Sequence, residues 1–157
     1  MARRDRTLQA LLRLTRTRGV GPKQLAKLVA RHGSPEEAVD ALLDLGPGTV
    51  RLAPSEQIAR EIDATLDAGA QFLCRTDPGF PAPLAAVDDT PWVLVVKGDP
   101  ATLQHRFVGI VGARNASAGG RKIAAEIAAG LAGEGLGVAS GLARGIDTAA
   151  HGGAIAH

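Results

Sequence analysis

The sequence predicts an α/β protein in which a small all-α domain precedes a parallel sheet. The first observation is helical periodicity over residues 1–68, where apolar side chains recur three and four residues apart. The second is a change of pattern after Gly69, beyond which short apolar runs bounded by Asp, Pro and Gly alternate with longer helical segments. Alternating strands and helices are typical of parallel sheets. We therefore expect a helical domain at 1–68 and a sheet domain at 69–157.

Four short helices are expected in the helical domain. The segment TLQALLRLTRTRGV places Leu8, Leu11 and Leu12 on one face of the first helix. Capping serines are expected at the starts of the third and fourth helices, and terminal glycines at helix ends. These cap positions are Ser34, Ser55, Gly33, Gly46 and Gly69.

Four strands are expected in the sheet domain, in the segments AQFLCR, PWVLVVKG, RFVGIVG and LGVASG. The third is mostly apolar, which predicts a strand buried on both faces. The proline-rich segment 76–91 can hold one brief helix at most. Helices are expected after the third and fourth strands. Because the chain ends within the last helical pattern, we expect a longer protein with a sheet that is incomplete here.

The charge of the chain is unevenly distributed. The formal net charge is +2, yet nine of the 18 basic side chains fall in residues 1–31, with Asp5 as the one acid. Such a segment favours a phosphate-rich partner, and a solvated helix face is the alternative. The single cysteine, Cys74, excludes an internal disulfide. No apolar run has the roughly 18 residues of a membrane span, and we expect a cytoplasmic protein.

The glycine-rich turns lack the signatures of common enzymes. Neither G-x-G-x-x-G nor G-x-x-x-x-G-K-[ST] occurs, and Val138 replaces the first glycine of a G-x-S-x-G elbow. Asp147 and His151 stand four residues apart, but His157 falls on another helix face, so a third metal ligand is missing. We expect Asp147 and His151 to form a structural or capping pair, and we expect no catalytic residue, metal or cofactor.

The turn after the third strand is a candidate anion site. Gly112 ends the strand, and Ser117 is placed to cap the next helix, whose free N–H groups and dipole favour an anion. Arg114 and Asn115 lie between them, and a guanidinium can hold a phosphate through two hydrogen bonds.

A second turn of this kind, SGLARGID, follows the fourth strand and contains Gly141, Arg144 and Gly145. Neighbouring parallel strands present such turns at the same edge of the sheet. We therefore expect Arg114 and Arg144 to line one phosphate-binding cleft. The alternative is that the glycines only allow tight turns and the arginines are solvated.

The segment TRTRGVGPKQLAKLV has the form of a helix-hairpin-helix, with a hydrophobic residue between two glycines and then a helix. Such a hairpin can lay backbone N–H groups against a phosphate, although a plain packing turn has the same pattern. A secondary DNA contact is expected from Arg16, Arg18, Gly19, Gly21 and Lys23.

Two motifs together resemble the DprA (DNA processing protein A, or Smf) family in its N-terminal part. VGARNASAGG is similar to the family's V-G-[ST]-R-x-x-S turn, and ASGLARGIDTAAHGGA to its S-G-x-A-x-G-I-D-x-x-A-H segment. DPGFPAPLAAVDDTPWVLVVKGD is similar to the lead-in to these motifs, and the helical N-terminus to the family's sterile-alpha-motif-like, helix-hairpin-helix domain. The resemblance spans nearly the whole chain.

This resemblance implies a Rossmann-like core that binds single-stranded DNA, protects it and helps to load RecA during natural transformation, without catalysis. It also implies a homodimer. Arg114 matches the position of the family's DNA-contacting arginine, and Gly112 and Ser117 match their motif positions. Ala113 departs from the commoner Ser or Thr, which removes a hydroxyl donor.

The alternative function is a nucleoside-monophosphate-binding enzyme of the phosphoribohydrolase type, which has a related Rossmann-like core. Its P-G-G-x-G-T-x-x-E segment is not in this sequence. The sequence contains four aromatic residues, each expected to serve packing: Phe72, Phe80, Trp92 and Phe107. DNA affinity is therefore expected to come from phosphate contacts and to depend steeply on salt.

Overall fold

The computed structural model describes residues 2–45 and 50–156, and it divides the chain into two compact units, Met1–Pro100 and Ala101–His157. Gly46, the glycine expected at the end of the third helix, lies outside the described residues, as does His157. Within the described ranges, no helix is long and apolar enough to cross a membrane.

The first unit is built around four helices with a shared apolar core. They are α1 (Ala2–Thr15), α2 (Pro22–His32), α3 (Pro35–Asp44) and α4 (Ser55–Asp67). The predicted apolar face of α1 is confirmed, because Leu11 and Leu12 are both 0% exposed and pack into the core. The predicted terminal glycines Gly33 and Gly69 have φ angles of 92° and 69°, the left-handed conformation in which glycine commonly follows a helix.

Of the two predicted serine caps, the one at Ser34 is confirmed and the one at Ser55 is wrong. Ser34 caps α3 as predicted, since its hydroxyl accepts a hydrogen bond from the backbone N–H of Glu37 at 3.1 Å. The cap predicted at Ser55 is wrong, because Ser55 is already the first residue of α4 and Pro54 occupies the N-cap position. Proline fixes its own φ, here −60°, and with ψ of 140° its extended backbone starts the helix without a side-chain acceptor.

The first two strands form an antiparallel pair that packs on the helices of the first unit. Strands β1 (Ala70–Cys74) and β2 (Val93–Lys97) pair with Phe72 opposite Val95. The proline-rich connection holds one short helix, α5 (Ala82–Ala85), as predicted. Phe72 and Cys74 are 7% and 4% exposed and lie in the helical core clusters. The first compact unit therefore continues past residue 69, and the division at 68–69 stays a prediction.

The second unit consists of two parallel strands, each followed by a helix. After a 3₁₀ turn at Pro100–Gln104 come β3 (Phe107–Gly109), α6 (Ala118–Gly133), β4 (Gly137–Ala139) and α7 (Ile146–Ile155). Strands β3 and β4 are parallel, with Val108 opposite Val138. The structure is thus a mixed α/β protein with an N-terminal helical region and parallel strands, which confirms the predicted fold class.

Small residues bring α6 and α7 close together. Ala128 and Ala150 are fully buried. A Cβ atom on Gly153 would lie 2.8 Å from the carbonyl carbon of Ala125, so the helices meet backbone to backbone.

The expectation that the third strand is buried on both faces is wrong. Phe107 and Val108 of β3 are 45% and 37% exposed. Among the described residues, β3 pairs only with β4, so one edge and much of each face remain open. An apolar run reports a preference for burial, and the number of neighbours a strand finds depends on tertiary structure.

Candidate functional site

The first loop of the site (residues 110–117) connects β3 to α6. Ser117 is its last residue and caps α6 as predicted, because its hydroxyl accepts a hydrogen bond from the backbone N–H of Gly120 at 3.1 Å. The first N–H groups of a helix have no acceptor within the helix and carry the positive end of its dipole. The loop therefore ends on a cluster of donors suited to an anion.

The middle of the first loop is an exposed turn formed by Arg114 and Asn115. In the described part of the chain, the Arg114 guanidinium makes no hydrogen bond or ion pair. Arg121 was not predicted to belong to the site. Its Nη1 donates to the carbonyl oxygen of Ala116 at 2.6 Å, which brings another guanidinium against the loop. A basic residue three positions after a capped helix start was the signal that could have identified it.

The second loop (residues 140–145) connects β4 to α7 and is held from inside by Asp147. This side chain is buried, with 6% exposed, and its Oδ2 accepts hydrogen bonds from the N–H groups of Gly141 at 3.1 Å and Ala143 at 3.3 Å. His151 Nε2 lies 3.4 Å from the carbonyl oxygen of Ser140. Asp147 and His151 thus serve the loop structurally, as expected.

The two loops touch through their backbones. The N–H of Ile146 donates to the carbonyl oxygen of Ala113 at 3.2 Å. Gly145 has a φ of 85°, and a Cβ atom there would lie 2.6 Å from the carbonyl oxygen of Arg114. A Cβ atom on Gly112 would in turn lie 2.6 Å from Cγ1 of Ile146. Both glycines are therefore required by close approach, and the predicted adjacency of the two turns is present.

This contact sets two free cations on one edge of the second unit. Arg144, like Arg114, is exposed and has no hydrogen-bonding or ion-pair partner among residues 2–45 and 50–156. The carboxylate of Asp147 is buried and accepts hydrogen bonds from N–H groups of the second loop, and it forms no ion pair with either arginine. The edge combines two guanidinium groups with the N-terminal end of α6.

Two further features of the second loop were not predicted. Leu142 has a φ of 56° and is 80% exposed, an unusual combination for a bulky apolar residue. The Ser140 hydroxyl oxygen is buried, and the described residues offer it no hydrogen-bond partner. Side-chain periodicity carries no signal for either feature, since both depend on the loop backbone. Among the described residues, no three His, Cys, Asp or Glu side chains lie together as metal ligands.

The predicted hairpin is present between α1 and α2. Gly19 has a φ of 85°, and Gly21 is the extended N-cap of α2. A Cβ atom would meet nothing within 4 Å at either position, so the hairpin backbone is open on that side. The N–H of Val20, between the two glycines, is already donated to the carbonyl oxygen of Thr17 at 3.1 Å.

The basic side chains around the hairpin are mostly engaged. Arg16 binds Glu61 through Nε and Nη2, with the shortest contact at 2.6 Å. Lys23 Nζ lies 3.3 Å from Asp89 Oδ2. Of the three expected basic contacts, only Arg18 is exposed without a partner in the described residues. The charge free for a ligand is therefore smaller here than the sequence indicates.

Comparisons with known proteins agree with this architecture. Residues 71–157 match the family model described as DNA recombination-mediator protein A. Residues 5–64 match the model described as DprA-like N-terminal HHH domain. The first match alone covers more than half of the 157 residues.

Three curated relatives share sequence with the chain. The DNA processing protein DprA of Streptococcus pneumoniae is 41% identical over 75 residues, which is 48% of this chain and 26% of that protein. The protein of the same name from Bacillus subtilis is 32% identical over 100 residues, 63% of this chain and 34% of that protein. The putative DNA processing protein DprA of Mycobacterium tuberculosis is 34% identical over 168 aligned positions, which cover 94% of this chain and 42% of that protein.

A solved structure has the same fold. The X-ray structure of DNA processing protein A from Streptococcus pneumoniae superposes with a TM-score of 0.68 at 22% identity, covering 97% of this chain and 54% of that one. The chain spans between about a quarter and two fifths of the length of its curated relatives. On the strength of the family match over residues 71–157, the chain belongs to the DNA recombination-mediator protein A (DprA) family.

Proposed function

We propose that the chain binds single-stranded DNA as part of a DNA processing protein and holds the DNA backbone at its paired loops. One observation carries the proposal. The hydrogen bond from Ile146, the first residue after the second loop, to Ala113 in the first loop brings the two loops together. Each loop presents an arginine without a partner in the described residues, Arg114 and Arg144. Such an arrangement suits successive phosphates of a flexible strand.

The chemistry of the loops favours binding over reaction. A guanidinium matches a phosphate with two parallel hydrogen bonds, and hydrogen bonds to charged groups are stronger than neutral ones. Two side chains at the second loop that could take part in a reaction are turned inward: the hydroxyl of Ser140 in the loop is buried, and the carboxylate of Asp147 in α7 accepts backbone N–H groups. We therefore assign the site a binding role and no catalytic step.

The family supplies the biological setting of the proposal. The relatives are named DNA processing proteins. From the resemblance to this family we also propose that the intact protein protects incoming DNA, assists RecA loading and assembles as a homodimer. The preference for single strands rests on the same resemblance, since arginine–phosphate contacts alone also fit a duplex. These activities belong to the intact protein, of which the described loops are one part.

The site is tested by measuring the affinity of the intact protein for a labelled oligothymidine by fluorescence anisotropy. Arg114→Ala and Arg144→Ala should each weaken binding by about tenfold, because a hydrogen bond to a charged group contributes roughly 1.5–3 kcal/mol. Arg60→Ala is the matched control, since Arg60 is an exposed arginine on α4 and belongs to neither loop. Unchanged affinity in folded variants of both loop arginines would contradict the proposal.

Two competitors separate this function from its alternatives. Duplex DNA of the same length should compete less well than single-stranded DNA. AMP should compete only at concentrations far above those of the oligonucleotide, since it offers one phosphate to a site that fits several. Displacement by stoichiometric AMP would favour the nucleoside-monophosphate-binding enzyme.

The RecA part of the proposal has its own test. Addition of the intact protein should shorten the lag of RecA filament formation on single-stranded DNA, and Arg114→Ala should restore much of the lag. A lag that does not respond to the wild-type protein would limit the function to DNA binding.

A further inference from the structure

Leu142 occupies the second loop in a conformation that leucine rarely adopts. Its φ is 56°, in the left-handed region where side chains other than those of Gly, Asn and Asp are disfavoured. The residues on either side, Gly141 and Ala143, both donate their N–H groups to the buried carboxylate of Asp147. The backbone of Leu142 is therefore fixed between two hydrogen bonds.

Packing within the chain does not account for the choice of leucine. The side chain is 80% exposed, so it contributes little burial to the fold. Glycine or asparagine would meet the backbone requirement at lower cost. Strained residues persist where the surrounding structure over-determines them, and they concentrate at binding sites.

The position of Leu142 indicates what it can contact. Arg144 stands two residues later in the same loop, and the first loop with Arg114 is in backbone contact with the second through Gly145. An anion held by these arginines brings its attached groups to the exposed leucine. The site is thus cationic, and two exposed apolar side chains lie in its loops: Leu142 in the second loop, and Val111, 84% exposed, in the first.

We propose that Leu142 is an apolar platform for the face of an unstacked nucleobase whose neighbouring phosphate is held by the loop arginines. The inference rests on the proposed function and adds the feature that selects single strands. A single strand can rotate a base out of its stack onto an apolar surface, whereas a duplex keeps both faces of its internal bases covered. An aliphatic platform offers no hydrogen bonds to base edges, so it accepts every base.

The test compares a thymidine oligonucleotide with an abasic oligonucleotide of equal length, which keeps the phosphates and lacks the bases. Leu142→Asn is the chosen variant, because asparagine tolerates the left-handed conformation and removes the apolar surface. Ile155→Asn is the matched control: Ile155 is 84% exposed, as open as Leu142, and lies at the far end of α7.

For the wild-type intact protein, we expect the thymidine oligonucleotide to bind about fivefold more tightly than the abasic one, less than aromatic stacking would give. Leu142→Asn should remove this difference and leave the affinity for the abasic oligonucleotide and the melting temperature unchanged. Ile155→Asn should retain the difference.

The outcomes separate the two proposals. If the wild-type protein binds neither oligonucleotide, the proposed function itself is contradicted. If the wild-type protein binds both oligonucleotides, the effect of Leu142→Asn decides about the platform. Equal weakening of the two affinities, or no change in either, contradicts the platform and leaves phosphate binding in place. A change of oligomeric state in Leu142→Asn with an unaltered preference for bases would also overturn the platform, in favour of contact with another protein.

Discussion

The backbone N–H of Ile146 donates a hydrogen bond to the carbonyl oxygen of Ala113 at 3.2 Å, which ties the start of α7 to the loop that precedes α6. Neither residue contributes a side-chain donor to a ligand. Their contact nevertheless decides whether two separate turns act as one surface. Any change that parts these two backbones should reduce ligand binding at both arginines.

Gly145→Ala tests this contact. A Cβ atom at Gly145 would overlap the carbonyl oxygens of Ala113 and Arg114, and alanine also disfavours the φ of 85°. We expect a loss of more than about 2 kcal/mol in the free energy of unfolding and a clear loss of DNA affinity. Urea denaturation and anisotropy provide the two measurements.

Gly152→Ala is the control for this substitution, since a Cβ atom there would meet nothing within 4 Å and Gly152 lies inside α7. It should stabilise the protein by about 0.5–1 kcal/mol, because alanine is the better helix former. If Gly145→Ala and Gly152→Ala change the free energy of unfolding equally, the close approach of Gly145 to the first loop is contradicted.

Asp147 should be the main support of the second loop. Asp147→Ala removes the acceptor of two backbone N–H groups and should cost about 2–3 kcal/mol of unfolding free energy. Asp147→Asn keeps an oxygen at nearly the same position and should cost less. Chemical denaturation of both variants measures the difference, and a cost near zero for Asp147→Ala would show that the hydrogen bonds from Gly141 and Ala143 contribute little.

Ser140→Ala is expected to be harmless to the fold. The buried Ser140 hydroxyl has no partner among the described residues, so its removal relieves a desolvated polar group. We expect a change between zero and about 1 kcal/mol in the stabilising direction. DNA affinity should be unchanged. A strong loss of stability in a thermal melt would reveal a hydrogen bond to the hydroxyl that the described residues do not supply.

The basic residues of the hairpin should differ in their effects. Arg18→Ala should lower DNA affinity modestly, by about two- to threefold, because a single exposed arginine contributes one screened phosphate contact. Arg16→Ala should affect stability instead, by roughly 0.2–1 kcal/mol through the loss of its pair with Glu61. Binding and melting measurements on both variants check this division, which fails if Arg16→Ala weakens DNA binding more than Arg18→Ala does.

The sequence predicted the elements that depend on local chemistry. Leu11 and Leu12 followed from helical periodicity, and the caps at Ser34 and Ser117 from the preference of serine for the N-cap position. The adjacency of the two loops also followed from the sequence, because parallel strands place successive turns at one edge. Local pattern and strand order suffice for these features.

Features that depend on tertiary contacts could not be predicted in this way. The exposure of Phe107 depends on how many strands pair with β3, and the pairing of Arg16 with Glu61 joins residues 45 positions apart. The left-handed backbone of Leu142 arises from hydrogen bonds to a carboxylate five residues later in the chain. None of these relationships leaves a periodic signal.

The most direct test of phosphate binding by the first loop is the salt dependence of single-stranded DNA affinity for the wild-type protein and Arg114→Ala. Because the Arg114 side chain is exposed and unpaired in the described residues, its loss should leave the melting temperature unchanged. We predict that the slope of log Kobs against log salt becomes shallower by about 0.7, the value of one released phosphate contact on a single strand. An unchanged slope and affinity in the folded variant would contradict the account.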